Sequence, residues 1–133
     1  LYIAAFNVFI DGPDNILGFA GWTYGRWVTR NNREYLHPFA GIMKFDKDDT
    51  ASMITEGLWT SVILHEMAHV LGIGTLWTYN GIYVASEDCS SDDYLGAIAQ
   101  QKWADLGCPG DLPVETDHNC PGTAGGHWDE ECL

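Results

Sequence analysis

The sequence predicts an α+β fold in which strands come first and helices follow. Three observations support this. Residues 1–46 hold three β-rich runs separated by turn formers. Residues 58–72 form one apolar, helix-like stretch closed by a glycine. Residues 73–133 are rich in loop formers and contain every cysteine. A length of 133 residues suits a single domain, and 46% hydrophobic content is enough for a core. No apolar run approaches the ~18 residues that would mark a transmembrane helix.

The elements read in order as follows. Residues 1–10 (LYIAAFNVFI) are a β-rich run closed by Asp11-Gly12-Pro13, and are expected as a buried strand. Residues 17–24 are a weaker, glycine-containing strand. Residues 26–38 hold three of the six Lys and Arg residues and are expected as an exposed loop. Residues 42–46 alternate like a short strand, and Lys44 suits an edge position. Residues 46–49 (DKDD) are expected as a solvated turn or helix start; they lack the D-x-D-x-D-G spacing of a calcium loop. The next helix should begin between Thr55 and Thr60 and end at Gly72. Residues 73–91 read as loop. Residues 92–106 carry Leu95, Ile98, Ala99, Trp103 and Leu106 at helical spacing, with Asp92 and Asp93 suited to the N-terminus and Gly107 to the end. From Cys108 onward the composition is that of loop.

The long apolar helix contains the most informative residues, His65-Glu66-Met67-Ala68-His69. Positions four apart on a helix lie on nearly the same face, so His65 and His69 can grip one metal ion. Glu66 stands roughly 100° further round and can reach a water at that ion without being a ligand. Imidazoles suit zinc, and a carboxylate beside such a water is a general base. The pattern points to metal-assisted hydrolysis, most often of a peptide bond. Gly72 extends it to H-E-x-x-H-x-x-G and ends the helix.

A catalytic zinc takes three protein ligands and leaves one position open. The third position of a common extended motif falls on Thr75, a poor ligand. Glu87 has a suitable side chain in loop-like surroundings, and His118 lies in a polar stretch. His127 is favoured: Gly125-Gly126 allow close backbone approach and Trp128 can anchor the loop. His37 receives no role.

Cys89, Cys108, Cys120 and Cys132 are spaced by 19, 12 and 12 residues, without the C-x-x-C of a zinc knuckle. Two disulfides and an oxidising compartment are expected, with the pairing open. The net charge of −13 argues against nucleic acid and anionic membranes as partners.

The chain resembles the leishmanolysin-like zinc metallopeptidases, a branch of the metzincins. The likeness rests on His65-Glu66-Met67-Ala68-His69-Val70-Leu71-Gly72, on the long insertion before a third histidine, and on the Gly-His-Trp setting of His127. Val62-Ile63-Leu64, Gly72-Ile73-Gly74-Thr75-Leu76-Trp77, Phe9-Ile10-Asp11-Gly12 and Gly41-Ile42-Met43-Lys44-Phe45-Asp46 also look like that group. The resemblance implies a zincin catalytic domain, a small mixed sheet packed on the active-site helix. Residues 1–72 would form sheet plus helix, and residues 73–133 a helical and loop insertion carrying the third ligand.

It further implies a secreted or cell-surface zinc metalloendopeptidase acting on protein or peptide substrates. His65, His69 and His127 would bind one Zn²⁺, and Glu66 would be the catalytic base. An edge strand at Ile42, Met43, Lys44 and Phe45 would pair with extended substrate. The departure is the Met-turn, which should follow the third histidine. Met43, Met53 and Met67 all precede His127, so the chain reads as an incomplete catalytic domain whose activity alone is expected to be weak. The alternative is a catalytically inactive metallopeptidase-like binding domain.

Overall fold

The computed structural model describes residues 1–84, 93–115 and 125–128. It is a mixed α+β structure with a three-stranded mixed sheet and, among the described residues, three helices. The chain divides into two compact units, Leu1–Thr75 and Leu76–Leu133.

In the first unit, β1 (Tyr2–Val8) runs parallel to β3 (Arg33–Asp46), and β2 (Gly18–Arg30) pairs antiparallel on the other side of β3. The order is therefore β1-β3-β2. The expected loop at residues 26–38 is instead a regular ladder from Gly25↔Pro38 to Arg30↔Arg33. Its turn is Asn31-Asn32, with φ of 53° and 60°. Two left-handed residues make the primed turn that matches strand twist, and asparagine tolerates that region better than most side chains.

Two further expectations are corrected. Residues 1–10 do form a strand, but it lies at the sheet edge, and Tyr2 and Phe6 are exposed while Ile3 faces the core. Among the described residues only one face of the sheet is covered by a helix, so alternate side chains of an apolar run face outward. Ile42, Met43, Lys44 and Phe45 lie in the central strand, with Ala4, Ala5, Phe6 and Asn7 on one side and Gly21, Ala20, Phe19 and Gly18 on the other. They have no free edge to offer a substrate. Lys44 reaches solvent from the sheet face and lies 5.2 Å over the Phe19 ring.

The opposite face packs on α2 (Trp59–Val70). Met43, Phe45 and Val70 are buried together, with Ile3, Ala20, Trp59, Val62, Ile63 and Met67 around them. Gly41 permits this approach. A Cβ there would stand 2.4 Å from Val70 Cγ1 and 2.6 Å from the Gly21 carbonyl. Before α2 comes a short helix, α1 (Thr50–Thr55).

Residues 46–49 form the turn into the start of α1, with Lys47 and Asp48 exposed. Asp46 and Asp49 are buried. Asp46 Oδ2 accepts N–H bonds from Ile10, Asp11 and Gly12 at 2.9–3.1 Å, and its Oδ1 accepts the Asp48 N–H at 2.9 Å. The bond from Asp48, reinforced by those from Asp11, Gly12 and Ile10, holds its pKa down at about 2 against the cost of burial. Asp49 Oδ1 accepts the Asp14 N–H at 2.9 Å. The carboxylates therefore lock the residues after β1 to the end of β3.

The second unit is built differently. Its strands β4 (Tyr83–Val84) and β5 (Asp93–Tyr94) form a minimal antiparallel pair, followed by α3 (Ala97–Asp105). The helix is shorter than its apolar pattern predicted, because Asp93 belongs to β5. Only the Ala99–Trp103 stripe joins the core, whereas Leu95, Ile98 and Leu106 are exposed. The core gathers Trp77, Tyr83, Tyr94, Trp103, Cys108, Leu112 and Val114. Gln100 ties it by donating to the Tyr94 carbonyl at 2.8 Å and accepting the Leu112 N–H at 2.7 Å. Cys108 is disulfide-bonded. The other three cysteines lie outside the described residues.

Candidate metal centre

α2 places its two histidines as the spacing requires. His65 and His69 stand with ring centroids 4.7 Å apart and Nε2 atoms 3.0 Å apart. Two nitrogens bound to one tetrahedral zinc at about 2.0–2.1 Å would be roughly 3.3 Å apart, so the pair is close to a chelating geometry.

The helix end orients one of them. Gly72, at φ 105°, takes the left-handed conformation. The Gly72 N–H then bonds the His69 carbonyl at 3.1 Å and the Ile73 N–H bonds the Ala68 carbonyl at 3.0 Å, the paired bonds of a Schellman cap. This turn brings the Ile73 carbonyl to 2.9 Å from His69 Nδ1. With Nδ1–H donated there, the Nε2 lone pair is left for a metal. Thr75, which occupies the place of a third ligand in the common motif, instead donates its hydroxyl to the His69 carbonyl at 2.6 Å.

Glu66 is buried, at 4% exposure, and burial pushes its carboxyl up to about 7. Gly18, at the start of β2, makes room for it. A Cβ at Gly18 would come within 3.3 Å of Glu66 Oε1, 3.0 Å of the Lys44 carbonyl and 3.1 Å of Phe45 Cδ1. Glu66 Oε2 has no hydrogen-bond partner among the described residues. A buried carboxylate oxygen left without a donor is costly, so such atoms mark places where a water or substrate group belongs.

His127 belongs to the second unit, on a short turn held at both ends. Gly125, at φ 72°, donates to the Glu115 carbonyl, and Glu115 N–H donates to the His127 carbonyl, each at 3.0 Å. A Cβ at Gly125 would meet Tyr83 Oη at 2.6 Å. Trp128 bridges to Val114 and packs 5.3 Å from Trp77 and 5.8 Å from Tyr94. His127 Nδ1 lies 3.5 Å from Glu115 Oε2.

The first unit thus presents the His65–His69 pair on one helix, and the second presents His127 on its turn. Imidazole nitrogens are donors that fit zinc, and the Nδ1 side of His69 is already engaged by a carbonyl. Glu87 and His118 lie outside the described residues, and His37 sits exposed on β3.

Three supporting groups escaped sequence reasoning. A glycine inside a strand run often marks a close approach, so Gly18 carried a usable signal. Glu115 and the Ile73 carbonyl carried none, since each acts through tertiary proximity. No family model, curated protein or solved structure matches the chain.

Proposed function

We propose that this chain carries the metal site of a zinc-dependent endopeptidase of the leishmanolysin-like metzincin kind. The observation that carries the reading is the His65–His69 pair, with Nε2 atoms 3.0 Å apart on one helix that also bears the buried Glu66. His65, His69 and His127 would hold the ion. Zinc, when bound, supplies Lewis acidity toward a carbonyl and toward water. Glu66 takes the proton of the attacking water and returns it to the leaving amine. Its burial excludes competing bulk water from that proton. Extended substrate would lie along β2, which is an outer strand of the sheet, rather than along residues 42–45. The disulfide at Cys108 agrees with a secreted or cell-surface setting.

Elemental analysis of the purified chain, paired with cleavage of a denatured protein, tests this. One equivalent of zinc, chelator-sensitive cleavage and its loss in Glu66→Gln are the expected results. Zinc binding with no cleavage in the wild type would leave a metal-binding domain without turnover. Failure to bind zinc would reject the reading.

A further inference from the structure

The outer half of the β2–β3 hairpin carries a surface that the metal chemistry does not use. In its register Arg26 pairs with His37, Val28 with Tyr35, and Arg30 with Arg33. Paired positions and every second residue share a sheet face, so one face bears all three arginines of the chain and one histidine around Val28 and Tyr35. The three arginines and His37 are exposed, and Arg33 lies 5.3 Å over the Tyr35 ring. Arg26 and Arg30 have no ion-pair partner among the described residues. This is a local inversion of sign in a chain of net charge −13. β2 is also an outer strand, with no strand paired to its far edge among the described residues.

We propose that this half of β2 docks an extended acidic polypeptide segment by strand addition. Two carboxylates of the segment, four residues apart, face Arg26 and Arg30, and an apolar side chain midway faces Val28. Residues four apart on a strand are about 13 Å apart on either partner, so the two spacings match. Guanidinium forks donate paired bonds to carboxylates, and the open edge supplies main-chain bonds that a lipid or glycan cannot make. The net charge decides against larger polyanions. A membrane plane or nucleic acid would also meet the acidic remainder, whereas a short segment responds mainly to charges within a screening length of about 8 Å. The hydrolase reading lays its substrate along this same strand, but binding here needs neither zinc nor turnover, so peptide affinity and peptide cleavage fail separately.

The test is fluorescence anisotropy of the whole chain with a fluorescein-labelled peptide whose core is Glu-Thr-Val-Thr-Glu. Saturable binding that weakens with salt is expected. Affinity should fall about tenfold for the combined Arg26→Glu and Arg30→Glu variant, its fold checked by circular dichroism. It should fall by a similar factor in the wild type for a Gln-Thr-Val-Thr-Gln core. The same loss is expected for a Glu-Thr-Val-Glu core, whose second carboxylate turns to the opposite face. Equal affinity for the three peptides, or an unchanged double variant, overturns the proposal. So does the absence of saturable peptide binding, whether the arginines then hold heparin or phosphatidylserine vesicles or merely guard the edge.

Discussion

The two units hold together by different means. The first is a sheet of long ladders with one helix laid across it, and its packing depends on small residues such as Gly41 and Gly18. The second has strands of two residues each and relies on a cluster of Trp77, Tyr83, Tyr94 and Trp103, on turns, and on a disulfide at Cys108. The contrast extends to the candidate ligands. His65 and His69 share a helix, so their spacing comes with the backbone. His127 stands on a turn whose place comes from Val114, Glu115, Tyr83 and Trp128, residues up to tens of positions away. A ligand pair is thus locally encoded, whereas a third ligand rests on a packed cluster.

If the chemistry resides in the first unit, the largest effect should come from its base. Glu66→Gln is expected to retain zinc and to lose about 10²–10⁴ in hydrolysis rate. Equal turnover by wild type and variant in a peptide-cleavage assay would remove Glu66 from the mechanism and blur the division of labour between the units.

The packing contrast predicts the next largest effect. Gly41→Ala should destabilise the first unit by about 3 kcal/mol, since the new methyl meets both Val70 and the Gly21 carbonyl, and overpacking of this kind typically costs 1–3 kcal/mol. Urea titration followed through the helical signal measures this. A shift well under 1 kcal/mol would mean that helix and sheet separate freely, and that the first unit is less tightly determined than its ladders suggest.

Glu115→Gln sharpens the comparison from the other side. Loss of the carboxylate beside His127 Nδ1 should weaken zinc binding by about tenfold while leaving helical content unchanged. Competition with a chromogenic chelator reads the affinity. No change would indicate that His127 is oriented by its turn alone or is not a ligand.

The smallest effect is on pH. Asp46 has its pKa lowered from 3.8 to about 2 in the folded chain. Its contribution to stability is therefore complete above about pH 4 and is lost as the pH falls from 4 through 2. Amide exchange at Ile10, Asp11 and Gly12, whose N–H groups bond this carboxylate, should lose protection over that interval before the β2–β3 ladder does. Simultaneous loss of both would show that the corner is no weaker than the sheet.

Much of the first unit could be read in advance, and its errors are instructive. The helix was legible because its apolar face, the H-E-x-x-H spacing and Gly72 agree with one another. Residues 26–38 were misread because polarity dominated over a two-residue Asn-Asn turn, which is a weaker signal than Asn-Gly. Asp46 was misread because acidic runs are usually solvated, and nothing local announces that three distant N–H groups will converge on one oxygen. In the second unit, the helical spacing at residues 92–106 was real, yet the buried stripe is only Ala99 and Trp103. Periodicity reports which face could be buried, not how much of it finds a partner.

The sequence by itself determined the α+β class, the helix that carries His65, Glu66 and His69, and the glycine that ends it. These follow from short-range rules: helical pitch, apolar spacing and the conformational freedom of glycine. Tertiary structure alone decided that residues 42–45 are central rather than at an edge, because strand order is a choice among distant pairings that no local pattern ranks. It decided likewise that Glu66 lies buried beside Gly18 and that Glu115 stands beside His127. Burial and electrostatic environment are properties of neighbours in space, and those neighbours are set only when the chain has closed on itself.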